Sequence, residues 1–153
     1  MRAMLVGAVM LLACLSGAAR ADEASAVKAV ENLGGKVTRD DELPGKPVIG
    51  VNLGALVMGK VTDAGLKELK ALKQLTTLNL YGAAVTGAGL KELKDLKQLT
   101  SLDLYGAAVT GAGLKELKDL KQLTSLNLGA TGVTADGVAD LQKALPGCKI
   151  SRL

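Results

Sequence analysis

The chain has 153 residues, enough for one domain with a sizeable core. It holds two Tyr and no Phe, Trp or His, so the core must be aliphatic, and the commonest general base and metal ligand are both missing. Nineteen Lys and Arg stand against 15 Asp and Glu. Without an aromatic stacking platform, so mild an excess argues against nucleic acid as a partner.

Residues 1–21, MRAMLVGAVMLLACLSGAARA, differ from the rest. Arg2 is followed by 17 uncharged, mostly apolar residues, Ala3 to Ala19, and then by the small-x-small site Ala19-Arg20-Ala21 before Asp22. This is the pattern of a secretory signal peptide, which places the protein outside the cell or in the bacterial periplasm or cell envelope. Two alternatives stay open: an uncleaved membrane anchor, and a lipoprotein box at Leu11-Leu12-Ala13-Cys14 that would tether the chain through lipid on Cys14. Membrane association is expected only in those cases. Cleavage before Asp22 leaves 17 basic residues against 15 acidic ones, a net of +2. It also leaves Cys148 as the only thiol, so no internal disulfide forms. Cys148 is expected as a small apolar residue buried near the C-terminus.

Residues 22–47 are expected to form an N-terminal cap and linker. Ala24 to Leu33 carries Val27, Val30 and Leu33 on one helical face and ends at Gly34-Gly35. Lys36 to Arg39 reads as a short strand, and DDELPGKP (40–47) as a turn.

From residue 48 the chain repeats. VTDAGLKELKALKQ begins at Val61, VTGAGLKELKDLKQ at Val85 and again at Val109, and a diverged copy at Val133, with a spacing of 24 throughout. Each copy follows a strand-like run: VIGVNL (48–53), LTTLNL (75–80), LTSLDL (99–104) and LTSLNL (123–128). The units are 48–74, 75–98, 99–122 and 123–145, and residues 146–153 form the C-terminal cap. The two central units match at 22 of 24 positions and differ only at Thr77/Ser101 and Asn79/Asp103. Within a unit, Leu78-Asn79-Leu80 alternates as a half-buried strand does. Leu90, Leu93 and Leu96 then recur every three residues on a short helix. Thr86 stands at the helix N-cap position. No unit can bury its apolar face alone, so the units must stack.

The pattern L-x-x-L-x-L followed by V-T-x-x-G-L-x-x-L-x-x-L resembles leucine-rich repeat proteins. It is most similar to the V/I-T-D-x-G-L, cysteine-containing type of F-box proteins and to short secreted repeat proteins of planctomycete bacteria. The resemblance covers residues 48 to 150. It implies an α/β fold, a leucine-rich repeat solenoid: a short, curved, right-handed strand–turn–helix stack of about four repeats with caps, its sheet on the concave side. One departure stands out. The family places Asn or Cys two residues before the Val, where this chain has Ala83, Ala107, Thr131 and Gly59. Without that side-chain ladder, a looser solenoid is expected.

Residues between the strand leucines point away from the core, in three columns: Gly50, Thr77, Ser101, Ser125; Asn52, Asn79, Asp103, Asn127; and Gly54, Tyr81, Tyr105, Gly129. Both differences between the twin repeats fall in these columns, by selection at a binding face or by neutral drift after duplication. The candidate partner-binding residues are Tyr81, Tyr105, Asn79, Asp103, Thr77, Ser101 and Asn127. Tyrosine is enriched at binding hot spots; the alternative is that the pair packs on itself and shields the turn. The Asn/Asp column suits sugar hydroxyls or a cation, or else is a solvated amide ladder, since only Asp103 is anionic and Ca²⁺ takes about 6–8 oxygen ligands. Nine lysines on the helices, Lys67 to Lys121, alternate with acids and read as a solubilising face or an attraction to anionic polymers.

The sequence shows no nucleophile motif, P-loop or metal-ligand spacing. No enzymatic activity, cofactor or metal is therefore expected. The reading is a secreted module that binds another, unidentified protein through the concave face. A structural or lipid-anchored envelope component is the alternative, and a substrate-recognition repeat of an F-box-type ubiquitin ligase a more remote one.

Overall fold

The computed structural model describes residues 17–54 and 59–152. Most of the signal-peptide segment, including Cys14, lies outside the described residues. Helix α1 (Gly17–Asn32) starts seven residues earlier than the periodicity of 24–33 indicates and runs through the expected cleavage site. Its first five residues, 17–21, belong to the segment that the sequence pattern assigns to the leader. Among the described residues no helix is long and apolar enough to cross a membrane.

Six strands form one sheet in sequence order: β1 (Lys36–Arg39), β2 (Val48–Asn52), β3 (Thr77–Asn79), β4 (Ser101–Asp103), β5 (Ser125–Asn127) and β6 (Lys149–Ser151). From β2 to β6 the pairing is parallel and in repeat register, so Leu78 lies beside Leu102 and Leu102 beside Leu126. β1 closes the N-terminal edge antiparallel to β2. Both caps thus add a strand, and the sheet has two more than the four repeats alone supply.

The returns are short. α2 (Asp63–Leu66) continues as a 3-10 helix over Lys67–Ala71. The second repeat has only a 3-10 helix, Gly89–Leu93. In the third, α3 (Gly111–Leu114) passes into a 3-10 turn, Lys115–Leu117. The leucine spacing explains this. A strict interval of three puts Leu90, Leu93 and Leu96 on one line only when the helix has three residues per turn. All three are fully buried. Only the last repeat, whose spacing differs, forms a longer α-helix, α4 (Ala135–Ala144), and there Thr134 accepts a hydrogen bond from the Gly137 N–H. Thr86 instead accepts from the Ala88 N–H at 3.2 Å, just ahead of its helix, and donates to Asp63 Oδ2 at 2.6 Å.

One aliphatic core runs the length of the stack, from Val27 and Val30 of α1 to Leu145 and Cys148. Three devices hold successive repeats at a close spacing. The Thr76, Thr100 and Thr124 hydroxyls each donate to a carbonyl one repeat earlier, at 2.9, 3.0 and 3.1 Å. The strand-exit turns bond across repeats, Gly82 N–H to the Tyr105 carbonyl at 2.8 Å and Gly106 N–H to that of Gly129 at 2.9 Å. Gly82 and Gly106 take φ near +67° and +69°, where a side chain is strained. Glycines of neighbouring returns also touch, so a Cβ on Gly113 would sit 2.3 Å from the Gly87 Cα. Lys70 and Glu92 add an ion pair between the first two repeats. Ala83 and Ala107 stand where the family's side-chain ladder would run. Both alanines are buried, and their turns are tied by the backbone itself.

Candidate functional site

The parallel register carries side chains 24 residues apart, or 27 between the first two repeats, onto neighbouring rungs. Thr77, Ser101 and Ser125 form one row on the open sheet face, and Asn52, Asn79, Asp103 and Asn127 the next. Each repeat then leaves its strand at the position of the third row. There Tyr81 and Tyr105 stack face to face, ring centroids 5.0 Å apart and planes 4° from parallel. That separation is close to the strand spacing of about 4.8 Å, so the stack follows directly from the ladder. Of the two expectations for the pair, the packing of one ring on the other is seen. Tyr81 still stays 37% exposed, the only large apolar side chain so exposed among the described residues. Tyr105 is half-buried. Gly54 lies on the rung before Tyr81, where an added Cβ would come within 3.0 Å of the Tyr81 Cβ and 2.5 Å of Asn79 Oδ1.

The Asn/Asp row has a structural duty that the sequence pattern does not display. Each side-chain oxygen accepts from the backbone N–H two residues on: Asn52 from Gly54 at 3.0 Å, Asn79 from Tyr81 at 2.9 Å, Asp103 from Tyr105 at 2.9 Å and Asn127 from Gly129 at 3.1 Å. These bonds satisfy the amides where the chain turns out of the sheet. They also set what the row offers outward. With Oδ1 committed, Asn52, Asn79 and Asn127 present an Nδ2 donor, whereas Asp103 presents a second carboxylate oxygen. The single Asn-to-Asp difference between the twin repeats thus keeps the turn and swaps an outward donor for an acceptor. The residue type at these positions, short and carrying an oxygen, was the available signal for the turn bond.

The caps extend the face at both edges. Lys36 pairs with Asn52, and Lys149 with Ser125, so both lie exposed on strands flanking the candidate residues. Among the described residues no group of three or more His, Cys, Asp or Glu is arranged to hold a metal ion. Cys148 is buried, as its apolar character predicts, and burial pushes its thiol pKa up.

Parallel strands stacked in register once per repeat, with short helical returns between them, define the architecture. The fold is that of a leucine-rich repeat solenoid. No protein-family profile and no curated protein matches the chain. Solved structures do. A leucine-rich repeat protein of Leptospira interrogans is 30% identical over 56% of this chain and 21% of its own, with a TM-score of 0.46. The internalin inlF of Listeria monocytogenes is 20% identical over 57% of this chain and 31% of its own, at 0.42. The PEPR1–AtPEP1 structure is 17% identical over 76% of this chain and 19% of its own, at 0.41. The chain spans less than a third of the length of each.

Proposed function

We propose that the protein is a secreted or envelope-located module that binds another protein through the open, concave sheet face. The observation that carries this reading is the tyrosine stack. The only two aromatic residues of the chain meet at one place, with Tyr81 exposed beside hydroxyl and amide rows. Tyrosine supplies contact area at low entropic cost, and a rigid stack has already lost its rotamer freedom before binding. Thr77, Ser101, Asn79, Asp103 and Asn127 supply the polar surround. Six strands at about 4.8 Å give a face roughly 24 Å wide, which suits a small or multivalent contact. The V-T-x-x-G-L signature supports the F-box-like repeat type and the likeness to short planctomycete proteins. The leader pattern supports export, with Asp22 as the first residue of the mature chain.

Affinity capture tests the reading. The purified protein is offered to envelope and culture-medium extracts beside a Tyr81→Ala/Tyr105→Ala variant with a verified unfolding transition. A partner held by the first and lost by the second is expected. A partner held equally by both moves recognition off this face.

A further inference from the structure

We propose that the face recognises a single arginine of the partner, seated between the tyrosine stack and the Asp103 carboxylate and flanked by acidic or neutral residues. This rests on the protein-binding reading above and names the chemistry it uses. Asp103 and Tyr105 stand two residues apart on one strand exit, about 7 Å along the chain. Asp103 Oδ1 is held by the Tyr105 N–H at 2.9 Å, which fixes the carboxylate. Its Oδ2 has no hydrogen-bond or ion-pair partner among the described residues. A fixed carboxylate with one free oxygen beside the half-buried Tyr105 ring and its exposed partner Tyr81 combines the two features a guanidinium uses at once. Its plane stacks on the ring, and its N–H groups donate to the carboxylate. An ammonium lacks the planar stacking surface and fits less well.

The charges around the site narrow the occupant. Asp103 is the only acid in the three rows, with neutral Asn79 and Asn127 on either side. Lys36 lies three strands away toward the N-terminal edge, and Lys149 two strands away toward the C-terminal edge. Across the six strands the face therefore reads positive, neutral, neutral, negative, neutral, positive. A uniformly basic peptide would meet like charge at both edges, whereas one arginine between acidic flanks matches every position.

The chain supplies its own reporter, because Tyr81 and Tyr105 are its only aromatic side chains and all intrinsic fluorescence arises at the site. The probe is the blocked peptide Glu-Ser-Arg-Ser-Glu, titrated into the full chain while tyrosine emission is followed. Controls carry citrulline, the neutral isostere, or lysine in place of arginine. The matching protein variant is Asp103→Asn, which keeps the oxygen bonded to the Tyr105 N–H and copies the residue of the other three repeats. A saturable change with the arginine peptide is expected, weakened at least about tenfold by citrulline or by Asp103→Asn. Equal binding by Asp103→Asn or of the citrulline peptide overturns the proposal. So does the absence of any response, or a response to a neutral oligosaccharide while the peptide stays silent. The two readings fail separately. If a captured partner is lost with the tyrosines but kept by Asp103→Asn, the face still binds protein and the arginine assignment falls.

Discussion

The four repeats share the glycine that closes their V-T-x-x-G motif, at Gly65, Gly89, Gly113 and Gly137, and adding one methyl group should have opposite effects at Gly113 and at Gly65. At Gly113 an added Cβ would lie 2.3 Å from the Gly87 Cα and 3.3 Å from its carbonyl carbon. Both obstacles are backbone, so the two returns must separate, and the threonine and turn bonds that set the repeat spacing must lengthen with them. Overpacking of this kind costs about 1–3 kcal/mol, and backbone against backbone places Gly113→Ala in the upper part of that range. At Gly65 the Cβ would meet only Leu33 Cδ1 at 3.5 Å, an ordinary contact. Gly65 lies inside α2, where alanine is preferred to glycine by about 0.8–1.0 kcal/mol. Gly65→Ala should therefore be neutral or stabilising. Urea unfolding followed by circular dichroism reads both variants against the parent. Equal midpoints for the two variants, or a Gly113→Ala loss below about 0.5 kcal/mol, would refute the claim that glycine contacts fix the spacing.

Two further outcomes are expected. Leu102 sits at the centre of the ladder with 1% of its surface exposed, so Leu102→Ala should cost about 2–5 kcal/mol in the same denaturation experiment. Burial raises the Cys148 thiol pKa in the folded state, so the unfolded chain ionises first. The stability this site contributes is complete below the ordinary thiol range and declines as pH rises above about 8.5. Cys148→Ala should flatten that decline in pH-dependent unfolding.

Much of the architecture was legible because it is periodic. The interval of 24 places Tyr81 beside Tyr105 and Thr77 beside Ser101 once the strands are parallel and in register, with no side-chain detail needed. Alternation at Leu78-Asn79-Leu80 separates the core face from the open face, and the burial of Leu78 and Leu80 follows it. The interval of three at Leu90, Leu93 and Leu96 also contains the 3-10 character of the returns, although it reads at first as a generic amphipathic stripe. What was not legible depends on distances across the stack. The contact of Gly113 with Gly87 needs the repeat spacing, which no single unit contains. The Asn and Asp side-chain bonds depend on how the strand exits, so those residues look like a purely outward row. Lys36 and Lys149 join the face only because β1 and β6 dock at its edges, one of them antiparallel.

Fluorine NMR on the protein labelled with 3-fluorotyrosine tests the central claim most directly, since Tyr81 and Tyr105 alone would carry the label. Both resonances should shift or broaden when a captured partner is added, because both rings lie in the proposed contact. A partner that binds and leaves both resonances unchanged would place recognition elsewhere on the molecule and contradict the account.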